Sequence, residues 1–212
     1  MNITGVNISG ISIRDTYALA APLVSTLAST TTISPAAGSQ AGQMLVLVLT
    51  NGSGVVKTMA SGFTSIVSPT NVAGTIGYRV MQPGDTSFTL PVADYATLLT
   101  LPTGFVNYDA NSAISSTFTV AGNVTSPTVT PTVIPAVALN IFYNANGGNP
   151  DVSPNPYNYP NLITGNVIGQ GTSGMAISWT ALIATTPFAG DTANSNAGPT
   201  YQGQAATILF HQ

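Results

Sequence analysis

The chain contains no glutamate and a single lysine, Lys57, so the residues that most often stabilise exposed helix faces are almost missing. In their place stand Thr, Val, Ser and Asn with 21 Gly and 15 Pro, a mixture that favours strands and tight turns. An all-β fold is therefore expected. At 212 residues the chain is long enough to bury a substantial core without cross-links, and it has no cysteine. A disulfide scaffold, a zinc-thiolate centre and a thiol nucleophile are all excluded.

Charged residues make up 4% of the chain, against about 25% in an ordinary soluble domain. Three cations, Arg14, Lys57 and Arg79, cannot neutralise a phosphate backbone, so direct nucleic-acid binding is not expected. The same scarcity weakens attraction to anionic membranes and repulsion between copies, so dense packing of many subunits costs less. No segment approaches the roughly 20 apolar residues needed to cross a bilayer as a helix. The opening "MNITGVNISGISIRD" lacks the basic and apolar regions of a secretory signal, which predicts synthesis in the cytosol without Sec export.

Residues 2 to 13 alternate loosely, as a strand or extended arm would. "RDTYALAAPLVSTLA" is the one candidate helix, with Asp15 as its cap and Pro22 limiting it to about two turns. Strand signals then recur roughly every ten residues, the spacing of a sandwich. They fall at 43–50, 55–59, 63–67, 75–81, 86–92, 96–106, 114–120, 137–144, 174–184 and 205–211. Asn51-Gly52, Ser53-Gly54, Pro83-Gly84-Asp85, Gly122-Asn123 and Asn146-Gly147-Gly148 read as turns between them. "STTTISPAAGSQAGQMLVLVLTNGSG" and "VTSPTVTPTVIPAVALNIFYNANGG" run in the same order, and "YQGQAATILFHQ" restates Gly-Gln before an apolar strand. Two similar halves suit an antiparallel double sheet, although shared strand-and-turn composition also produces such an echo. The organisation predicted is an arm with a strand or short helix over 1–30 and one antiparallel, jelly-roll-like β-sandwich over 31–212.

The only histidine is His211, near the carboxyl end, which speaks against a Ser-His-Asp system. Five of the six Asp (Asp85, Asp94, Asp109, Asp151 and Asp191) sit in turn-like contexts that explain them without a glycosidase pair. "DAN" at 109–111 and "DTANSN" at 191–196 offer oxygen ligands but lack the spacing of a calcium loop, and Asx turns are the leading reading. No phosphate loop or dinucleotide fingerprint is present. No enzyme, cofactor or metal site is expected. Trp179 shares an alternating face with Met175, Ile177, Ala181 and Ile183, which reads as core. Sequons at Asn2, Asn7, Asn51 and Asn123 are accounted for by composition.

One stretch keeps a binding reading open. The loop from Asn144 to Asn166 is rich in Pro, Asn and Tyr, and long loops of this kind tend to be functional. Tyr143, Tyr157 and Tyr159, with Asp151 and the amides of Asn155 and Asn158, supply what a shallow glycan or partner contact requires. The competing explanation is that the tyrosines pin the loop onto the sheet.

Residues 34 to 90 also resemble a known family. The blocks Gly42-Gln43-Met44-Leu45-Val46, Ser61-Gly62-Phe63-Thr64, Tyr78-Arg79-Val80 and Gly84-Asp85-Thr86-Ser87-Phe88-Thr89 follow the order "aGd-LvvfV…tPaGWtli…YrvA…gd-sytFt". That order is similar to the β-sandwich domains of tailed-bacteriophage structural proteins. Phe63 stands where Trp is usual and Gln43 where an acid is usual. The resemblance implies a virion component without catalytic residues. The leading expectation is a head decoration or cement protein, assembling as an oligomer such as a trimer and contacting the major capsid protein. The alternative is a tail or fibre part that binds a host-surface glycan.

The run Met44 to Leu49 puts apolar side chains on both faces of its strand. Full burial would contribute at most about 1.5 to 3 kcal/mol per side chain. One face suits the opposing sheet; the other calls for the amino-terminal segment, the long loop or a neighbouring subunit. Read this way, the run argues for assembly.

Overall fold

A computed structural model describes residues 20–28, 31–50, 58–66, 74–90, 95–115, 122–145, 153–154, 162–164, 173–195 and 202–212. Among these the chain is all-β, and every strand pairing is antiparallel. The first half of the chain supplies β1 (Leu23–Ala28), β2 (Thr32–Ile33), β3 (Met44–Thr50), β4 (Thr64–Ile66), β5 (Gly74–Val80), β6 (Phe88–Thr89) and β7 (Tyr95–Thr100). The second half supplies β8 (Asn107–Tyr108), β9 (Ala113–Ile114), β10 (Gly122–Thr125), β11 (Ala136–Ala145), β12 (Ser153–Pro154), β13 (Leu162–Thr164), β14 (Ser173–Leu182), β15 (Thr192–Ser195) and β16 (Gln202–His211).

Two large sheets form the sandwich. One has the order β1-β7-β3-β5-β4, and the other has the order β13-β14-β11-β16-β8 with β9 beside β16. The two segments that echo each other in sequence thus place their apolar strands, β3 and β11, at the centre of opposite sheets. Between the sheets lie Met44, Val46 and Val48 of β3 with Leu139 of β11, Ile177 and Trp179 of β14, and Ile208 of β16. Alternation along each strand sends these residues to one face, as the sequence pattern predicts for Trp179. Ile183 departs from that expectation: β14 ends at Leu182, and Ile183 is 65% exposed.

The outward face of β3 is also closed, by the chain itself. Leu45, Leu47 and Leu49 are fully buried beneath Ile33, Ala60, Phe88 and Leu90, with Met59, Phe63 and Met81 packed at the margin. The paired strands β2 and β6 and the 58–63 segment provide this cover. A neighbouring subunit is not required to bury the run, so its apolar content no longer argues for assembly.

Several local expectations change. After Pro22, Leu23–Ala28 forms β1 because it has a full ladder partner in β7, from Leu23 opposite Thr100 to Ala28 opposite Tyr95. Ala20 to Pro22 are not helical, and residues 1 to 19 lie outside the described residues. Thr58 and Met59 are not in a strand, whereas Gly122 and Asn123 are strand residues opposite Ser195 and Asn194 rather than a turn. The excursions at 144–166 and 188–204 carry β12, β13 and β15; β10, β15 and β12 form a small third sheet. Composition hid these strands because Ser, Thr and Asn serve turns and edge strands alike.

Candidate functional site

The separated blocks of the resemblance meet on the outward face of the first sheet. Arg79 of β5 stands directly across from Leu45 of β3, on the face that the 58–63 segment and β6 cover. Its guanidinium carbon lies 5.2 Å from the centre of the Phe88 ring and 5.7 Å from that of Phe63. The two rings meet edge to face at 5.1 Å. Arg79 Nη2 donates to Asp85 Oδ2 at 2.8 Å and to Oδ1 at 3.2 Å, and the pair is largely shielded. The Gln82 N–H also donates to Asp85 Oδ2, at 2.7 Å, within the turn that the sequence places at Pro83-Gly84-Asp85. The first block joins through Gly42 and Gln43, whose backbones exchange 2.8 Å hydrogen bonds with Met81.

Gly62 explains the second block. Its φ is +82°, and a Cβ there would collide with the Arg79 guanidinium. Only glycine combines that backbone conformation with that approach. Beside this brace a shallow groove of about 330 Å³ is lined by Met44, Thr64, Tyr78, Arg79, Gln82 and Val106 among others. Behind it Tyr78 stacks on Tyr108 at 4.9 Å, tying the edge of one sheet to the other.

A second polar group crosses the outward face of the other sheet. Asn140 of β11 lies between Ser178 of β14 and Thr207 of β16 in register, and all three are buried. Ser126 and Asp191 close over them from the segments that follow β10 and precede β15. The Ser126 hydroxyl donates to Asn140 Oδ1 at 2.8 Å, and Thr207 approaches the same oxygen at 3.3 Å while donating to the Pro127 carbonyl at 2.7 Å. Asn140 Nδ2 donates to Asp191 Oδ2 at 3.0 Å and reaches Ser178 Oγ at 3.3 Å. The Ser178 hydroxyl donates to Asp191 Oδ2. Backbone bonds seat the loop: Ser126 N–H to the Asp191 carbonyl at 2.8 Å, and Asp191 N–H to Ser126 Oγ at 3.0 Å. Gly190, at φ +74°, lies against Ser126 where a Cβ would collide. Burial pushes the Asp191 carboxyl above its ordinary value, and the bonds from Ser178 and Asn140 offset part of that rise.

Of the sequence-derived contact candidates, the structure describes only Tyr143. Tyr143 is a β11 residue opposite Met175 and Gln204; Asp151, Tyr157 and Tyr159 lie outside the described residues. Asp109 is buried in an Asx turn: Oδ1 accepts from Asn111 N–H at 2.9 Å, and Oδ2 accepts from the Thr132 N–H and hydroxyl at 2.7 and 2.8 Å. Burial would raise its pKa, but these donors and the nearby His211 charge together hold it below the ordinary value. His211 Nδ1 is 2.8 Å from the Gln212 carbonyl oxygen. No group of three or more His, Cys, Asp or Glu among the described residues is placed to hold a metal ion.

Sequence reading passed over the Asn140 group. Its signal was a polar residue flanked by apolar ones within each of three strands, Asn140 in "VALNIFYN", Ser178 in "GMAISWTA" and Thr207 in "AATILFH". No family model, curated protein or solved structure matches the chain.

Proposed function

We propose that the chain is a non-enzymatic structural protein of a bacteriophage virion, a head-decoration protein that assembles as an oligomer against the major capsid protein. The observation that carries this reading is the convergence of the four resemblance blocks on Arg79. Residues 42–46, 61–64, 78–80 and 84–89 share one packing task, which supports reading them together as one pattern. Two properties fit it. A charge-poor chain repels its copies weakly, and a sandwich whose central strand is covered on both sides is a stiff block. The role is mechanical: the block clamps neighbouring capsid subunits, and the amino-terminal segment provides a tether.

Cryo-electron microscopy of the particle whose genome encodes the chain tests this. Multiple copies of the sandwich on the outer head surface are expected, with occupancy lost when residues 2–20 are deleted from a chain that still folds. Absence from the particle would overturn the reading, and density confined to the tail would replace it with a tail or fibre role.

A further inference from the structure

At one end of the first sheet β5 outruns β4. The β4 strand begins at Thr64, opposite Tyr78, whereas β5 continues to Val80, which pairs on its other side with Met44 of β3. Arg79 and Val80 therefore project past the end of their neighbour, and the groove beside Arg79 occupies the notch, with Val106 of the segment before β8 as its far bank. We propose that this groove binds one neutral pyranose unit, its hydroxyls held by Thr64, Arg79 and Gln82 and its C–H face set against Tyr78 and Val106.

Size and rigidity suit such a ligand. The volume of about 330 Å³ lies at the low end of the roughly 300 to 1,000 Å³ of small-molecule pockets, room for a single ring. Arg79 is fixed by Phe63, Phe88 and Asp85, and the Tyr78 ring is fixed by its stack on Tyr108 and an edge contact to Phe210 at 5.9 Å. Gln82 is exposed, yet its Nε2 donates to the Val80 carbonyl at 2.9 Å, which sets the amide so that Oε1 presents an acceptor. The exposed Thr64 hydroxyl both donates and accepts. Groups already held in place lose little freedom when a ligand arrives.

Charge selects the ligand class. Arg79 is the one charged residue lining the groove, and Asp85 already neutralises it. A phosphate or carboxylate would have to compete with that counter-ion. A purely apolar ligand would strip water from the guanidinium, the amide and the hydroxyl without replacing their hydrogen bonds. A sugar ring supplies donors, acceptors and an apolar face together, which is the mixture the groove offers. The site belongs to the single chain, so it stands apart from any place on a virion; many copies on one surface would multiply a weak single-site affinity.

Amide NMR of the ¹⁵N-labelled full chain tests this, with methyl glycosides of glucose, galactose, mannose and N-acetylglucosamine as probes and methyl glucuronoside as the charged control. At least one neutral glycoside should give saturable shifts centred on Thr64, Arg79, Gln82 and Val106, with millimolar affinity. Thr64→Ala and Gln82→Ala, both at exposed positions, should each weaken binding about three- to tenfold with little change in thermal midpoint. The glucuronoside should bind no tighter than the glucoside. The deciding titration uses the unaltered chain, so a variant that misfolds does not rescue the proposal. No saturable shift with any of the neutral glycosides overturns it, as do shifts centred elsewhere, such as on Tyr143, a preference for the glucuronoside, or unchanged affinity in both variants.

Discussion

Arg79 of β5 lies directly opposite Leu45 of β3, a cation facing a fully buried leucine on a face the chain itself covers. The guanidinium is accommodated by lying over Phe63 and Phe88 with Asp85 as counter-ion. Arg79→Ala removes the ring contacts and leaves a shielded carboxylate unpaired, and should cost about 1 to 3 kcal/mol in urea unfolding. Arg79→Lys keeps the charge but not the flat surface over both rings, and should recover only part.

Gly62 and Gly42 both have positive φ, but a Cβ at Gly42 would meet nothing within 4 Å. Gly42→Ala should therefore cost only its backbone strain, about 1 kcal/mol. Gly62→Ala should cost more, because Arg79 is held in place by Asp85. Denaturation midpoints in an Arg79→Ala background should bring the two substitutions level, since the obstacle is then gone.

Leu47 and Leu99 are fully buried on opposite faces of the first sheet. Each Leu→Ala change should cost about 2 to 5 kcal/mol. Because the cover over Leu47 comes from the same chain, its cost should not vary with protein concentration. A concentration-dependent loss, read from unfolding curves over a wide dilution range, would instead place that face in a subunit contact.

Asp109 has a lowered pKa, so its contribution to stability is complete above the ordinary value of 3.8 and is lost as pH falls through the lower folded value. The wild-type protein should weaken on acidification through that window. Asp109→Asn presents an amide donor to groups that already donate, and should be destabilised at pH 7 by about 1 to 3 kcal/mol while its stability varies less with acid. Thermal unfolding from pH 7 to pH 2 distinguishes the two profiles.

Composition and alternation carried the architecture. Without Glu, and with apolar residues spaced for strands, the chain had only sheets in which to bury its core, and β3, β5, β7, β11, β14 and β16 stood out because their patterns are long and locally consistent. The short strands of the small sheet, such as β10 and β15, did not, since Thr, Asn and Ser serve a turn as readily as a strand, and only the presence of a partner decides between them. Partners hundreds of atoms away along the backbone likewise decided the buried polar geometry. Asn140, Ser178 and Thr207 come from three strands, and nothing local to any of them says that register will align them beneath Asp191. The run Met44 to Leu49 by itself demanded cover on both faces. That the cover is the chain's own β2, β6 and 58–63 segment was settled by long-range packing, because a buried face constrains how much apolar surface must meet it and not where along the chain that surface comes from.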